Sequence, residues 1–241
     1  DETKYLEKPS LHLPVVIMAG GKGTRLYPYT KVLPKPLIPI GDVPITMHIM
    51  QHFAKFGCSN FTMVVNHQKE LIKAYYSDPE LPYSVSFADE TTPLGTAGGL
   101  KLLEGKIHET FFLTNCDILV DEDYTKIYAH HKKSGNIITM VCAVKNVTVP
   151  YGTITLNDDG RIGKMVEKPT ASYLVNTGYY VVEPEVLSMI PKDTFIHMPD
   201  IVQKCMDEGK PVGVFPVSES QWSDMGQIDE MKKKLKQIHW L

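Results

Sequence analysis

Short apolar runs alternate with longer amphipathic stretches along most of the chain. Residues 15–18, Val-Val-Ile-Met, are apolar without alternation and stop at Ala-Gly-Gly, the pattern of a strand buried on both faces. The same texture returns at 61–65, 85–88, 111–114 and 137–144. Between these runs, apolar residues at three- and four-residue spacing predict helices over 46–56, 69–76, 96–103 and 124–133. Strands that alternate with helices need crossover connections, so the predicted sheet is mostly parallel. After Pro150 the texture changes: 152–156, 163–167 and 175–182 read as strands separated by Asp-Asp-Gly and proline-containing turns, which predicts a smaller antiparallel lobe. Helix (201–208), strand (212–217) and helix (228–238) follow. The stretch 1–14 is charged and aperiodic and reads as a linker or tail, leaving one α/β domain over 15–241.

Composition narrows the function. A chain of 241 residues buries roughly three quarters of its unfolded surface and needs no staples. Its 25 basic and 28 acidic side chains give a net charge of −3, which argues against a nucleic-acid partner, since neutralising a phosphate backbone takes clustered Lys and Arg. The apolar runs are too short to cross a bilayer and no basic-then-apolar leader opens the chain, so no membrane association and a cytoplasmic location are expected. Cys58, Cys116, Cys142 and Cys205 lie far apart without a Cys-x-x-Cys spacing, which suits reduced, buried thiols. The first residue is Asp1 and not Met, which leaves room for a preceding domain; a homo-oligomer is also compatible with the sequence.

The candidate chemistry begins directly after the first strand. In an open parallel sheet, ligands sit beyond the carboxyl ends of the strands. There the sequence places Ala19, Gly20, Gly21, Gly23 and Thr24, where glycines allow backbone N–H groups to approach a ligand and form an anion cradle. No Gly-x-x-x-x-Gly-Lys-Ser/Thr occurs, and Gly-x-Gly-x-x-Gly fails because Leu26 stands in the third glycine's place; an ordinary kinase or dinucleotide enzyme is therefore disfavoured. Arg25 and Lys35 follow in a loop stiffened by Pro28, Pro34, Pro36 and Pro39, which suits cations held in position.

The run 20–26, then Pro28, Thr30 and Pro34-Lys35-Pro36-Leu37, resembles the signature of the sugar-1-phosphate nucleotidyltransferases, the nucleotide-sugar pyrophosphorylases. The resemblance implies a Rossmann-like, mostly parallel mixed sheet flanked by helices, with a nucleotide-binding half over about 15–145 and a sugar-binding half, including the antiparallel lobe, over about 146–241. It also implies Mg²⁺-dependent condensation of a nucleoside triphosphate with a sugar 1-phosphate, releasing pyrophosphate. The loop backbone and Arg25 would hold the triphosphate, and Lys35 would contact the reacting phosphates.

Two carboxylates, Asp117 at a strand end and Asp224 in Trp-Ser-Asp-Met-Gly, match the family's metal positions and suit a hard cation. Cys116 stands where a glycine is frequent. Glu90, Gly95 and Thr96 lie in Glu-Thr-Thr-Pro-Leu-Gly-Thr-Ala-Gly, a form similar to mannose-1-phosphate guanylyltransferases and their relatives. A carboxylate at Glu90 could accept from guanine N1–H and its amino group, which favours GTP, while the base and the sugar stay open. Gly152, Glu167, Lys168 and Asn176 resemble the family's sugar and sugar-phosphate positions, with Glu167 and Asn176 for hydroxyls and Lys168 for the phosphate.

Other clusters read as structural. His48 and His52 lack a third ligand and fit a helix surface. The run 130–133, His-His-Lys-Lys, fits the cationic last turn of a helix, and 121–123, Asp-Glu-Asp, an acidic helix start. Because Asp-x-Asp also binds metal in glycosyltransferases, a metal-dependent glycosyltransferase is one rival reading. A non-catalytic nucleotide-sugar-binding regulatory homologue is another.

Overall fold

The computed structural model describes residues 10–227 and 229–232. All five residues of β1 (Val15–Ala19) are buried, as a run without polar alternation demands. Short 3₁₀ turns carry the proline-rich loop to a small antiparallel pair, β2 (Pro39–Ile40) and β3 (Val43–Pro44), and on into α1 (Ile45–Ala54). Next come β4 (Asn60–Val65), α2 (Lys69–Tyr76), β5 (Ser84–Asp89), β6 (Phe111–Asn115), β7 (Ile118–Val120) and α3 (Tyr124–Ser134). The second half contains β8 (Ile138–Thr148), β9 (Thr153–Leu156), β10 (Ile162–Val166), β11 (Thr170–Val182), α4 (Val186–Met189), α5 (Met198–Asp207), β12 (Val212–Ser218) and β13 (Trp222–Asp224).

Seven strands form one sheet in the order β12-β8-β11-β6-β1-β4-β5. β11 runs antiparallel to both its neighbours, and the other pairings are parallel. The mostly parallel mixed sheet expected from the sequence is therefore present, and β11 and β12 from the second half belong to it. Strand alternation divides the core: Val15, Ile17 and Ala19 face one layer, and Val16 and Met18 the other. The first layer is aromatic, with Phe53 stacked on Tyr179 at 5.7 Å and tilted against Tyr124 at 4.7 Å.

Several elements differ from expectation. Residues 96–103 form a 3₁₀ segment over Gly98–Leu103 instead of an α-helix. Gly98 and Gly99 pack so closely that a Cβ would collide with Thr194 O and Glu90 Oε1 respectively, which ties the segment to its neighbours. β8 and β11 run beyond the predicted strands, because 145–148 and 170–173 pair with each other past the last residues that β12 and β6 reach. Backbone bonds from Val149 N to Pro169 O and from Lys168 N to Tyr151 O carry that pairing into the β9–β10 hairpin. β7 and β13 form an unpredicted antiparallel pair with Asp224 opposite Ile118. Leu13 is buried and Leu11 N–H donates to Phe56 O, so the chain joins the core ahead of β1. The helix predicted over 228–238 falls largely outside the described residues.

Two histidine readings need correction. His131 is fully buried, its ring nitrogens 2.8 Å from Thr139 Oγ1 and 3.1 Å from Glu183 Oε1, and burial holds its pKa below the ordinary value despite Glu183. It is a neutral buried group, not part of a solvated cationic turn. His52 is also buried, its ring 5.0 Å from that of Tyr124, and not on the helix surface. The acidic start of α3 is as expected: Asp123 caps it, accepting from Thr125 N at 2.9 Å.

Candidate active site

A cleft of about 810 Å³ opens at the carboxyl ends of β1 and β6 and just beyond β5, where a parallel sheet ordinarily receives its ligands. β1 delivers Gly20, Gly21 and Gly23 to the wall, and Gly23 adopts φ +64° to turn the chain into the loop carrying Arg25. β6 delivers Asn115 and, just beyond it, Asp117. β11 crosses the floor with Asn176, Thr177 and Gly178 at a register break in its pairing with β8. Gly178 is required there, at φ +86°, because a Cβ would collide with Asn115 Nδ2.

Pairing of β7 with β13 brings Asp117 and Asp224 together across 107 positions of sequence. Both flank Gly226, where a Cβ would collide with Asp117 Oδ2 and lie 3.0 Å from Asp224 Oδ1. Each carboxylate has a cation: Lys35 Nζ lies 2.5 Å from Asp117 Oδ2, and Arg25 Nη1 3.4 Å from Asp224 Oδ2. Lys35 is 13% exposed and Arg25 62%, so only the first pair is shielded from water. Burial alone would lower the Lys35 pKa, but the Asp117 carboxylate beside it reverses this and the net shift is upward. The ammonium is charged at neutral pH. Burial pushes the Cys116 thiol up to about 12, which keeps it protonated. Among the described residues no three His, Cys, Asp or Glu side chains cluster as a metal cage. Two convergent carboxylates without soft ligands do fit Mg²⁺, which takes few protein ligands and completes its shell with phosphate oxygens and water.

Glu90 lies on the opposite side, just past β5, and is 4% exposed. Burial lifts its pKa to about 7, against a smaller opposing pull from the Leu94 backbone N–H. Its carboxyl sits between two glycines: a Cβ on Gly20 would lie 2.8 Å from Oε2, and one on Gly99 would collide with Oε1. Oε1 is buried without a hydrogen-bond partner among the described residues, as is the indole N–H of Trp222, another cleft residue.

Of the other predicted positions, Gly95, Thr96 and Asn176 line the cleft. Ala19 is buried as the last residue of β1 and Thr24 is exposed, both off the lining. Gly152, Glu167 and Lys168 do not line it either; they sit together at the foot of the β9–β10 ribbon, Glu167 Oε2 2.9 Å from where a Gly152 Cβ would be. Sequence reasoning missed Phe195, His197 and Asp200, which line the cleft near the start of α5. His197 Nδ1 accepts from Thr96 N–H at 3.2 Å and lies 3.3 Å from Thr96 Oγ1. Gly95, at φ +80°, permits that contact, since a Cβ there would collide with Ile196 O. The contact joins residues 101 positions apart, and no local spacing signals it.

An open mixed α/β sheet with a glycine-rich turn after its first strand, paired cations and paired carboxylates at one cleft defines a phosphate-handling, nucleotide-binding class of protein. The nucleotidyl transferase family model matches residues 14–239, and the chain belongs to that family. The mannose-1-phosphate guanyltransferase of Aspergillus fumigatus is 35% identical over 222 residues, covering 88% of this chain and 60% of its own length. That of Schizosaccharomyces pombe is 34% identical over 222 residues with the same two coverages. The chain thus spans about 60% of the length of these curated relatives. The crystal structure of HddC from Yersinia pseudotuberculosis complexed with GMP-PN shares the fold, with a TM-score of 0.70 at 23% identity, covering 94% of this chain and 99% of that one. Among the described residues no helix is long and apolar enough to cross a membrane.

Proposed function

We propose that the chain condenses a nucleoside triphosphate, GTP by preference, with a sugar 1-phosphate to give a nucleotide-sugar and pyrophosphate. The observation that carries this is the meeting of Arg25, Lys35, Asp117 and Asp224 at the mouth of a glycine-lined cleft. The names of the curated relatives support the guanylyl and mannose-type assignment. The attacking sugar phosphate is already an anion, so no protein nucleophile or base is needed. The barrier is repulsion between two anions, which fixed cations lower by positioning and neutralisation. Lys35, buried and charged, would hold the reacting phosphates, and Arg25, more exposed, the triphosphate. Asp117 and Asp224 would hold Mg²⁺, which supplies further positive charge to the phosphates when bound. The Glu90 carboxylate would accept from a guanine edge, and Asn176, on the cleft lining, would receive the sugar phosphate, while Gly152, Glu167 and Lys168 stand outside the cleft. Four free, buried cysteines suit a reducing compartment, in line with a cytoplasmic location.

Pyrophosphate release measured across four triphosphates and a panel of sugar 1-phosphates tests the reading. Release with GTP is expected; consumption of a nucleotide-sugar without pyrophosphate chemistry would favour a glycosyltransferase, and ligand binding without turnover a regulatory homologue. Lys35→Ala should lower turnover about 10²-fold with the fold intact. Near-normal turnover in that variant would contradict the role given to Lys35.

A further inference from the structure

Asn176 and Tyr180 are four residues apart on β11, which in a regular strand would separate them by about 13 Å. The register break closes that gap: Asn176 pairs with Cys142 and Tyr180 with Met140, only two residues apart on β8, so the two become same-face neighbours. The amide of Asn176 is then engaged at both ends. Its Oδ1 accepts the Gly178 N–H at 3.0 Å, which fixes which end is oxygen, and its Nδ2 donates to the Tyr180 hydroxyl at 2.7 Å. Tyr180 Oη is the acceptor in that bond, so its own hydrogen must point elsewhere. Among the described residues no acceptor takes it. Tyr180 is 3% exposed, packed in the core layer of Val16 and Met18, and it lines the cleft. Burial pushes the phenol up to about 12 against the pull of Asn176, so it stays a neutral donor. A buried hydroxyl hydrogen without an acceptor destabilises the empty site, and a ligand oxygen would satisfy it.

We propose that the Tyr180 hydroxyl donates to a hydroxyl oxygen of the sugar, with Asn176 as the positioning residue that aims it; this rests on the sugar 1-phosphate reading above and adds the atom that meets the ring. Phosphate oxygens have their own partners in Lys35 and Arg25, beside Asp117 and Asp224. A base edge has Glu90 on the opposite side of the cleft. The groups around Gly178 are instead all neutral. Asn115, whose Nδ2 a Gly178 Cβ would strike, lines the same cleft, and its amide has no hydrogen-bond partner among the described residues. A phenol donor beside an unengaged amide offers donors and acceptors together. A sugar hydroxyl both gives and takes a hydrogen bond and matches that set, whereas an ionised phosphate offers acceptors only and is better met by cations.

Calorimetric titration of the full chain with GDP-mannose, and with GDP as the ligand lacking the sugar, tests this. The readout needs no turnover, so it is separate from the pyrophosphate-release test of the catalytic reading. Tyr180→Phe removes only the hydroxyl and should weaken GDP-mannose about tenfold, the worth of one neutral hydrogen bond, while leaving GDP within about twofold. Asn176→Ala should produce the same sugar-specific loss, and the double variant little more, because the two side chains act as a unit. Of the 2-, 3-, 4- and 6-deoxymannosyl analogues, one should bind the wild-type chain about tenfold more weakly than GDP-mannose, yet bind Tyr180→Phe as well as GDP-mannose does. Unchanged GDP-mannose affinity in Tyr180→Phe overturns the proposal, and so does equal weakening of GDP and GDP-mannose or a wild-type chain that binds GDP-mannose no better than GDP. Uniform affinity across the four analogues on the wild-type chain overturns it as well, without recourse to any variant.

Discussion

Glu90 titrates near 4.5 when the chain is unfolded and near 7 when it is folded. Between those values the folded chain keeps a proton that the unfolded chain has released, so stability falls as pH rises through this window and levels off above it. The loss reaches at most about 3 kcal/mol. Glu90→Gln keeps the shape without the charge, so its urea-denaturation stability should change little between pH 5 and 8, while the wild-type value drops; parallel profiles would assign the effect to another group. His197 makes a different kind of contribution, holding Thr96 through Nδ1. His197→Ala should raise the KM for nucleotide about tenfold, the worth of one hydrogen bond, and His197→Asn, whose Oδ1 can accept from the same N–H, should restore most of it. The contrast between these residues explains what could be read from the sequence. Arg25, Lys35, Glu90 and Asp117 follow strand ends in local motifs, so their approach to the cleft was legible. His197 reaches it through a contact between distant segments, and Gly152, Glu167 and Lys168 stand apart from it because the ribbon's path is set by pairing and not by local pattern.

Among the elements, the strands buried on both faces were legible because a solid apolar run has few other uses. The outer halves of β8 and β11 were not, because both their faces meet water and burial leaves no signature there. The 3₁₀ segment at Gly98–Leu103 was misread as α-helix because its apolar spacing fits either form, and close packing against Glu90 and Thr194 decides between them. Gly99→Ala would press a methyl group onto Glu90 Oε1 and to 2.6 Å from Val64 Cγ1, and should cost about 1–3 kcal/mol in urea denaturation. At Gly21 a Cβ meets nothing within 4 Å, and alanine there should stay within about 0.5 kcal/mol. The turn after β13 has a chemical role to test: Gly226→Ala would drive Asp117 and Asp224 apart. Calorimetric titration with Mn²⁺ should show affinity reduced about tenfold or more, with secondary structure retained.

On the scale of the molecule, one sheet runs through both proposed halves, with β11 wedged between β6 and β8. Neither half retains a complete sheet without the other, so unfolding should be a single cooperative transition. Tryptophan fluorescence and far-ultraviolet dichroism should give coincident urea curves, and two separated midpoints would show independent halves. The pairing of Lys35 with Asp117 and of Arg25 with Asp224 also bears on how a substrate arrives. At rest these four side chains sum to zero, so the mouth projects little long-range field. Loading then resembles ion exchange: a polyanion accompanied by its divalent counter-ion trades partners with two pre-existing couples. Added potassium chloride should therefore slow capture only slightly, and phosphorylated metabolites that arrive without such a companion meet cations already engaged.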